Sequence, residues 1–400
     1  ETGATLGPRM NRLYYKMYID TTAEWEGLKA NEFDVMDWTL SQPQYQEWVT
    51  SPALQAAIAV EEEKDLGMFE FDLNCNATVE GLDGGIYRQP TNPAPNPTGD
   101  PAFRAAIAKL VDKYAIATSD FQGLLEILDV PAIPPVHNDF INPSVIGVNY
   151  AFQYDGAQAQ LDLDTADYDQ VTGVDNPYVG GPDGYLENVY PWAVPYMRRN
   201  ALSGNLIQDD FDWGPVQGLT LYSRADKPDR MLAGRRMRDV LRASGIPVNY
   251  REVDRTTCNR QVMWYMSYHI YTGGWSMGRD PDHFHDFYTR EFANPRDYNY
   301  MLFNGQGPAM PYKFTVNQAY ETAIDDVKYA PTRDDMITAA KDIQAKLWGP
   351  TTGWFASVGG MPSIILGRYY PIRTAYKKGW EGIVNVCLLY TSPSPRDRTR

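Results

Sequence analysis

Cysteine and histidine are both scarce, with three and four in 400 residues. So few thiols and imidazoles argue against a disulfide scaffold or a paired-cysteine zinc framework. Cys75 and Cys258 have no metal-ligand spacing, and one pair of thiols leaves the redox compartment open. Long apolar runs are missing too: none approaches the ~18 residues of a membrane span. Positive charge falls short of negative, 36 Lys and Arg against 51 Asp and Glu, a net charge of −15. No basic stripe exists to displace counterions from phosphates, which argues against nucleic acid and against anionic membrane surfaces. A Gly-x-Ser-x-Gly elbow, a phosphate loop and a His-Glu-x-x-His pair are all absent. The first residues, Glu1 to Pro8, have neither the basic start nor the apolar core of a signal peptide, and no initiator Met precedes them. The chain is therefore expected to begin inside a longer gene product.

Aromatic residues are plentiful: 28 Tyr, 14 Phe and 10 Trp. Tyr and Trp join stacking area to a polar tip and suit ligand clefts, although most must serve ordinary packing. At 43% hydrophobic content the chain can build at least two packed domains. The end looks foreign. Cys387 to Asp397 resembles, codon by codon, the translation of a transposase sequencing adapter, so residues 387–400 are expected to be a non-native tail. Without the tail's three Arg and one Asp the charge becomes −17.

Arg12 to Asp20 has strand composition, Thr21 to Ala30 that of a short helix, and Asn31 to Met36 that of a strand. The order predicts parallel pairing, with Trp38 and Thr39 in the loop beyond the second strand, where α/β sheets hold ligands. Gln44 to Ile58 is expected to be helical, and Met68 to Asn74, alternating apolar and acidic, a half-exposed strand. Gly81 to Gly99 is a proline-rich loop. Asp100 caps a helix whose Phe103, Ile107 and Leu110 share a face, with Pro101 at its first position. The acidic stretch Gln158 to Asp169 reads as a short solvated helix rather than a calcium loop. Leu219 to Ser223, Arg230 to Ala243 and Ile246 to Tyr250 form a strand–helix–strand unit stopped by Gly245. A helix is expected over Asn259 to Ser267, and helical periodicity marks Val316 to Tyr329 and Arg333 to Trp348. Trp354 to Ser357 and Pro362 to Leu366 resemble strands. Two βαβ regions divided by irregular chain predict an α/β protein of two lobes.

Tyr268 to Phe284 is the stretch richest in functional signals. It reads as a buried strand, Tyr268 to Thr272, ending in Gly273-Gly274, which permit unusual backbone angles. Trp275 follows in a loop, as a stacking platform, and Asp280-Pro281 opens a helix, with Asp280 as its cap. Asp282-His-Phe-His-Asp286 tempts a metal reading, yet residues two apart on a helix point about 200° apart, so no metal is expected.

The order of Ala30 to Val35, Phe71 to Asn74, Asp100 to Lys113, Ala243 to Val248 and Tyr271 to Pro281 resembles the extracytoplasmic solute-binding proteins of peptide/oligopeptide-type ABC importers, family 5. The resemblance covers residues 12 to about 385. It implies a periplasmic-binding-protein-like α/β fold whose first lobe is split and, here, incomplete. Residues 1–70 would be one remnant, 75–360 the inserted lobe, 365–386 the return, with hinge crossings at Phe71–Asn74 and Met361–Leu366. It also implies a periplasmic or extracellular binding protein and not an enzyme, monomeric, without cofactor, partnered by a membrane permease and anchored, if at all, through a missing N-terminus. The solute would be an oligopeptide, an oligosaccharide or a metal chelate. The implied contacts are Trp275, Tyr271, Ser276, Met277, Arg279, Asp280, Trp38, Thr39 and Asn74. Peptide-binding relatives place an acidic residue three positions after the Trp, where this chain has Gly278, in a loop one residue short. Unpaired buried charge costs several kcal/mol, so sugars rival peptides. An extracellular glycoside hydrolase or carbohydrate-binding module is the alternative from another class.

Overall fold

The computed structural model describes residues 12–379 apart from 13, 19–20, 37, 64–65, 77, 81–92, 135, 173–195, 212–217, 279, 294–296, 302, 304–317, 350–359 and 370. The elements used below are, in chain order, α1 (Thr21–Lys29), α2 (Gln42–Thr50), α3 (Pro52–Ala57), β1 (Ile58–Glu63), β2 (Gly67–Leu73), α4 (Pro101–Ala108), β3 (Leu125–Ile127), α5 (Gly156–Thr165), β4 (Leu219–Arg224), α6 (Pro228–Ala243), β5 (Val248–Val253), β6 (Ile270–Ser276), α7 (Asp282–Tyr288), α8 (Gln318–Tyr329), α9 (Arg333–Trp348), β7 (Ser363–Tyr369) and β8 (Ile372–Lys377). The chain divides into two units, Glu1–Asp65 with Tyr370–Arg400, and Leu66–Tyr369.

The smaller unit is built on the antiparallel pair β1–β8, in register from Ile58 opposite Lys377 to Glu63 opposite Ile372. Its core gathers Trp25, Leu28, Met36, Leu40, Ile58 and Ala375. The parallel strand expected at Asn31 to Met36 does not form; Val35 makes a single antiparallel bridge to Tyr376. That segment is too short to build a ladder, and its partner arrives from the far end of the chain. Arg12 and Tyr14 to Tyr18 are not a strand either. The helix expected over Gln44 to Ile58 is broken at Ser51, because Pro52 cannot donate a backbone hydrogen bond and starts α3 instead.

The larger unit is organised by a mixed six-stranded sheet in the order β3-β7-β2-β6-β4-β5. β4–α6–β5 is the expected right-pairing unit, β4 and β5 lying parallel from Leu219 opposite Val248 to Arg224 opposite Val253. Gly245 ends α6 with φ of +75°, a backbone setting that disfavours other residues. Asp100 caps α4 by accepting the Ala102 N–H at 2.9 Å, and Phe103, Ile107 and Leu110 are buried as their spacing requires. The helix expected over Asn259 to Ser267 is a short α-turn, Arg255–Asn259, continued by a π-turn to Trp264. Trp354 to Ser357 lies outside the described residues.

β2 corrects the reading of a half-exposed strand. It is buried at all seven positions, flanked by β6 on one edge and β7 on the other. The alternation of apolar and acidic residues is real, but both faces are covered. The two crossings between units fall at Asp65/Leu66 and Tyr369/Tyr370, outside Phe71–Asn74 and Met361–Leu366. Phe71 to Leu73 lie within the central strand β2, and Ser363 to Leu366 lie in β7 beside it.

Candidate functional site

β6 is the strand from which the site is built. It runs two turns of pleat further than the sequence indicated, through Gly273, Gly274, Trp275 and Ser276, each opposite a β2 residue from Glu70 back to Gly67. The glycine pair therefore sits inside a ladder, and neither member has a positive φ. Its purpose is space. A Cβ on Gly273 would lie 1.9 Å from the Asp72 carboxylate, and one on Gly274 would lie 2.3 Å from the Arg230 guanidinium and 2.8 Å from the Met68 carbonyl oxygen. Because side chains alternate along a strand, these two intrusions come from opposite faces of the sheet.

On one face stand Glu70 and Asp72 from β2 with Tyr271, Gly273 and Trp275 from β6, and Ser363 from β7. Tyr300 donates its hydroxyl to Asp72, and Tyr288 Oη lies 3.3 Å from Ser363 Oγ. Trp348 donates to the Ser363 carbonyl at 3.1 Å and closes this layer. Neither oxygen of Glu70 makes a hydrogen bond. Burial pushes Glu70 up to about 7, and burial next to Glu70 raises Asp72 well above the carboxylate range. On the other face α6 lays Arg230 over Phe69, 5.0 Å from its ring centroid, with Nη1 donating to the Thr272 carbonyl at 3.3 Å. The positive charge nearest the two acids is thus across the sheet from them.

Trp275 closes the row at the sheet's end. It is half-buried, tilted 35° against Phe287 of α7 at 4.7 Å, with Tyr300 at 5.8 Å and Tyr298 at 5.9 Å. Tyr298 is 48% exposed, so these two rings, inclined 59° to each other, form an angled aromatic ledge that reaches solvent at Tyr298. Trp275 Nε1 is buried and has no hydrogen-bond partner. Ser276, Gly278 and Asp280 beyond it are exposed, whereas Met277 is buried, with its N–H on the Leu66 carbonyl at 2.8 Å. Asp280 does not cap α7. The chain turns at Pro281 (φ −80°, ψ 24°), which leads straight into Asp282, so the helix begins one residue late and the Asp280 carboxylate stays in solvent.

The residues singled out from sequence therefore separate. Trp275 is half-buried and Ser276 and Asp280 are exposed, near one another in sequence at and just after the end of β6. Tyr271 is buried beside Tyr300, and Asn74 is engaged by the chain itself, its Nδ2 donating to the Met266 and Tyr268 carbonyls at 2.9 Å and its Oδ1 accepting from Asn76. Arg279 lies outside the described residues. Trp38 and Thr39 belong to the smaller unit, where Trp38 is 49% exposed and Thr39 Oγ1 accepts the Arg373 N–H at 2.8 Å. Phe287, Tyr298 and Tyr300 were not foreseen. The spacing of Tyr298 and Tyr300 is that of an extended segment, but nothing local ties it to β6.

Among the described residues no group of three or more His, Cys, Asp or Glu could hold a metal ion. His285 instead sits between Asp286 and Asp325, at 3.2 Å from each. Among the same residues no helix is long and apolar enough to cross a membrane.

The family model for bacterial extracellular solute-binding proteins, family 5 Middle, matches residues 7–295. The chain belongs to that family. No curated protein sequence matches it. Among solved structures it is similar to the oligopeptide-binding protein AppA from Bacillus subtilis in complex with a nonapeptide (TM-score 0.60, 15% identity, 91% of this chain and 56% of that one). It is similar to NikZ from Campylobacter jejuni in complex with Ni(L-His) (TM-score 0.59, 14% identity, 91% and 56%). A third is the mannohexaose-bound periplasmic oligopeptide-binding protein from Thermotoga maritima (TM-score 0.58, 14% identity, 91% and 55%). At such identities the likeness establishes the α/β fold of extracellular solute-binding proteins. The chain spans about half the length of these three structures.

Proposed function

We propose that this chain is the larger part of a non-enzymatic solute receptor that captures an oligopeptide or oligosaccharide outside the cytoplasm and hands it to an ABC-transporter permease. The family match supports the class of protein, and the open Trp275–Tyr298 ledge at the end of the central strand is the observation that carries the binding surface. Trp275, Ser276, Asp280 and Tyr298 would meet the solute. Capture would proceed by closure around the solute, which favours the closed state through contacts made only there.

The ledge favours a sugar over a peptide. A flat ring face stacks on a pyranose, and the carboxylate that a peptide amine would need is absent at Gly278. The glycosidase alternative has less support. The close carboxylate pair, Glu70 and Asp72, is buried beneath Tyr300 and Trp348 and can reach no glycosidic oxygen.

Thermal-shift titration of the chain restored to its full length, against oligosaccharide and peptide panels, tests the reading. Stabilisation by an intact oligosaccharide, lost in Trp275→Ala, is the expected outcome. Release of a hydrolysed product, or undiminished affinity in Trp275→Ala, overturns it. Gly278→Asp is expected to strengthen peptide binding at least severalfold. A Cβ there meets only the Asp280 backbone, at 3.7 Å or more, so the carboxylate enters open space.

A further inference from the structure

The rim that carries Trp275 is tied to a second segment by two histidines that reach in opposite directions. His137 closes a tight turn: its backbone N–H donates to the Ile133 carbonyl at 2.8 Å, and its ring Nδ1 accepts the Ile133 backbone N–H at 3.0 Å. Its Nε2 lies 2.9 Å from the Gly278 carbonyl oxygen, three residues past Trp275. From the other side His283, in the first turn of α7, places Nε2 2.5 Å from the Pro131 carbonyl oxygen. The ring centroids are 5.4 Å apart. A carbonyl oxygen only accepts, so each ring must carry its proton on Nε2. His137 then has a bare Nδ1 that accepts from the backbone, and His283 has a buried Nδ1 without a hydrogen-bond partner.

We infer that His137 and His283 form a reciprocal clasp that positions the loop after Trp275, and that the clasp holds only while both rings are neutral. This rests on the reading of the loop as part of the solute site, but the clasp itself can be tested without any solute. A proton on His137 Nδ1 would point at the Ile133 N–H and break the turn. A proton on His283 would place a cation among Phe284, Phe287 and the His137 ring. The charged groups nearby offer little relief, because Asp286 is already paired with Lys328 at 2.7 Å and Asp280 is exposed. Asp282, exposed at the start of α7, is the remaining acid on that helix's first turn. Burial, then the neighbouring His137, holds His283 down to about 4. The neutral clasp is therefore present at neutral pH and lost as pH falls toward that value.

Amide exchange followed by mass spectrometry reads this on the whole chain, with rates corrected for the intrinsic effect of pH. In the wild type, peptides covering 276–284 should lose about tenfold in protection between pH 7 and pH 4, while those in α6 and β4 keep theirs. His137→Ala should lose a similar factor already at pH 7, the worth of roughly one buried hydrogen bond. The double variant His137→Gln/His283→Gln, which keeps an N–H donor at both positions but cannot be protonated at either, should retain protection at pH 7 and lose the acid response. A wild-type loop indifferent to pH, full protection in His137→Ala, or loss spread equally through α6 and β4 would each overturn the clasp. A loop that responds as expected in a protein that binds no solute would leave the clasp standing and remove the binding reading instead.

Discussion

Glu70, Asp72, His269 and His283 are all fully or nearly fully buried, and each is held in its neutral direction by that burial. The consequences for stability have opposite signs. Glu70 titrates near 4.5 when exposed and near 7 in the fold. Its contribution is complete below about pH 4.5 and is lost as pH rises toward 7, because only the unfolded chain gains the charge. His269, pushed down to about 3 by desolvation, loses its contribution as pH falls from about 6.5 toward 3. Glu70→Gln should remove the alkaline loss. Relative to wild type, its unfolding free energy should rise by roughly 1–3 kcal/mol between pH 4 and pH 8, measured by denaturant titration at several pH values. At α4, Asp100→Ala removes a cap that accepts one N–H and should cost about 1 kcal/mol at pH 7 by the same method.

β6 shows which parts of the molecule the sequence discloses. Its existence, its aromatic end and the helix after it were legible from composition and period, as were α4, the β4–α6–β5 unit, α8 and α9. The meaning of the glycine pair was not. Local reasoning assigns Gly-Gly to a turn, whereas the cause here is the Asp72 carboxylate on one face and the Arg230 guanidinium on the other, contributed by residues remote in sequence. β2 was misjudged for the same reason, since an alternating pattern cannot reveal that the acidic face is also covered. Little of Trp275's surroundings was legible: Tyr298 and Phe287 come to it through tertiary packing that no spacing encodes. Gly273→Ala tests the close-approach argument. It should destabilise by about 1–3 kcal/mol through overpacking, and Asp72→Ala in the same chain should cost less than the sum of the two single changes, read by a double-mutant cycle.

The two units differ in how much core each possesses. The smaller relies on a cluster centred on Trp25, Leu28 and Ile58, while the larger buries a continuous core around its six-stranded sheet. Free energy of local opening follows buried apolar contact, so α1 and β8 should exchange their amide protons through a lower barrier than β2 and β6. Exchange in graded denaturant should resolve two transitions, the smaller unit's first; a single cooperative loss would show the units to be energetically one body. The pairing of β1 with β8 also bears on how the protein is made. The strands are roughly three hundred residues apart in the chain, the kind of remote contact that slows folding. At typical rates of synthesis β1 waits about 15–60 s on the ribosome before its partner exists. Throughout that interval its backbone edge is open to the wrong neighbour, and Glu61 and Glu62, later paired with Tyr376 and Arg373, are the charges that can keep such neighbours off.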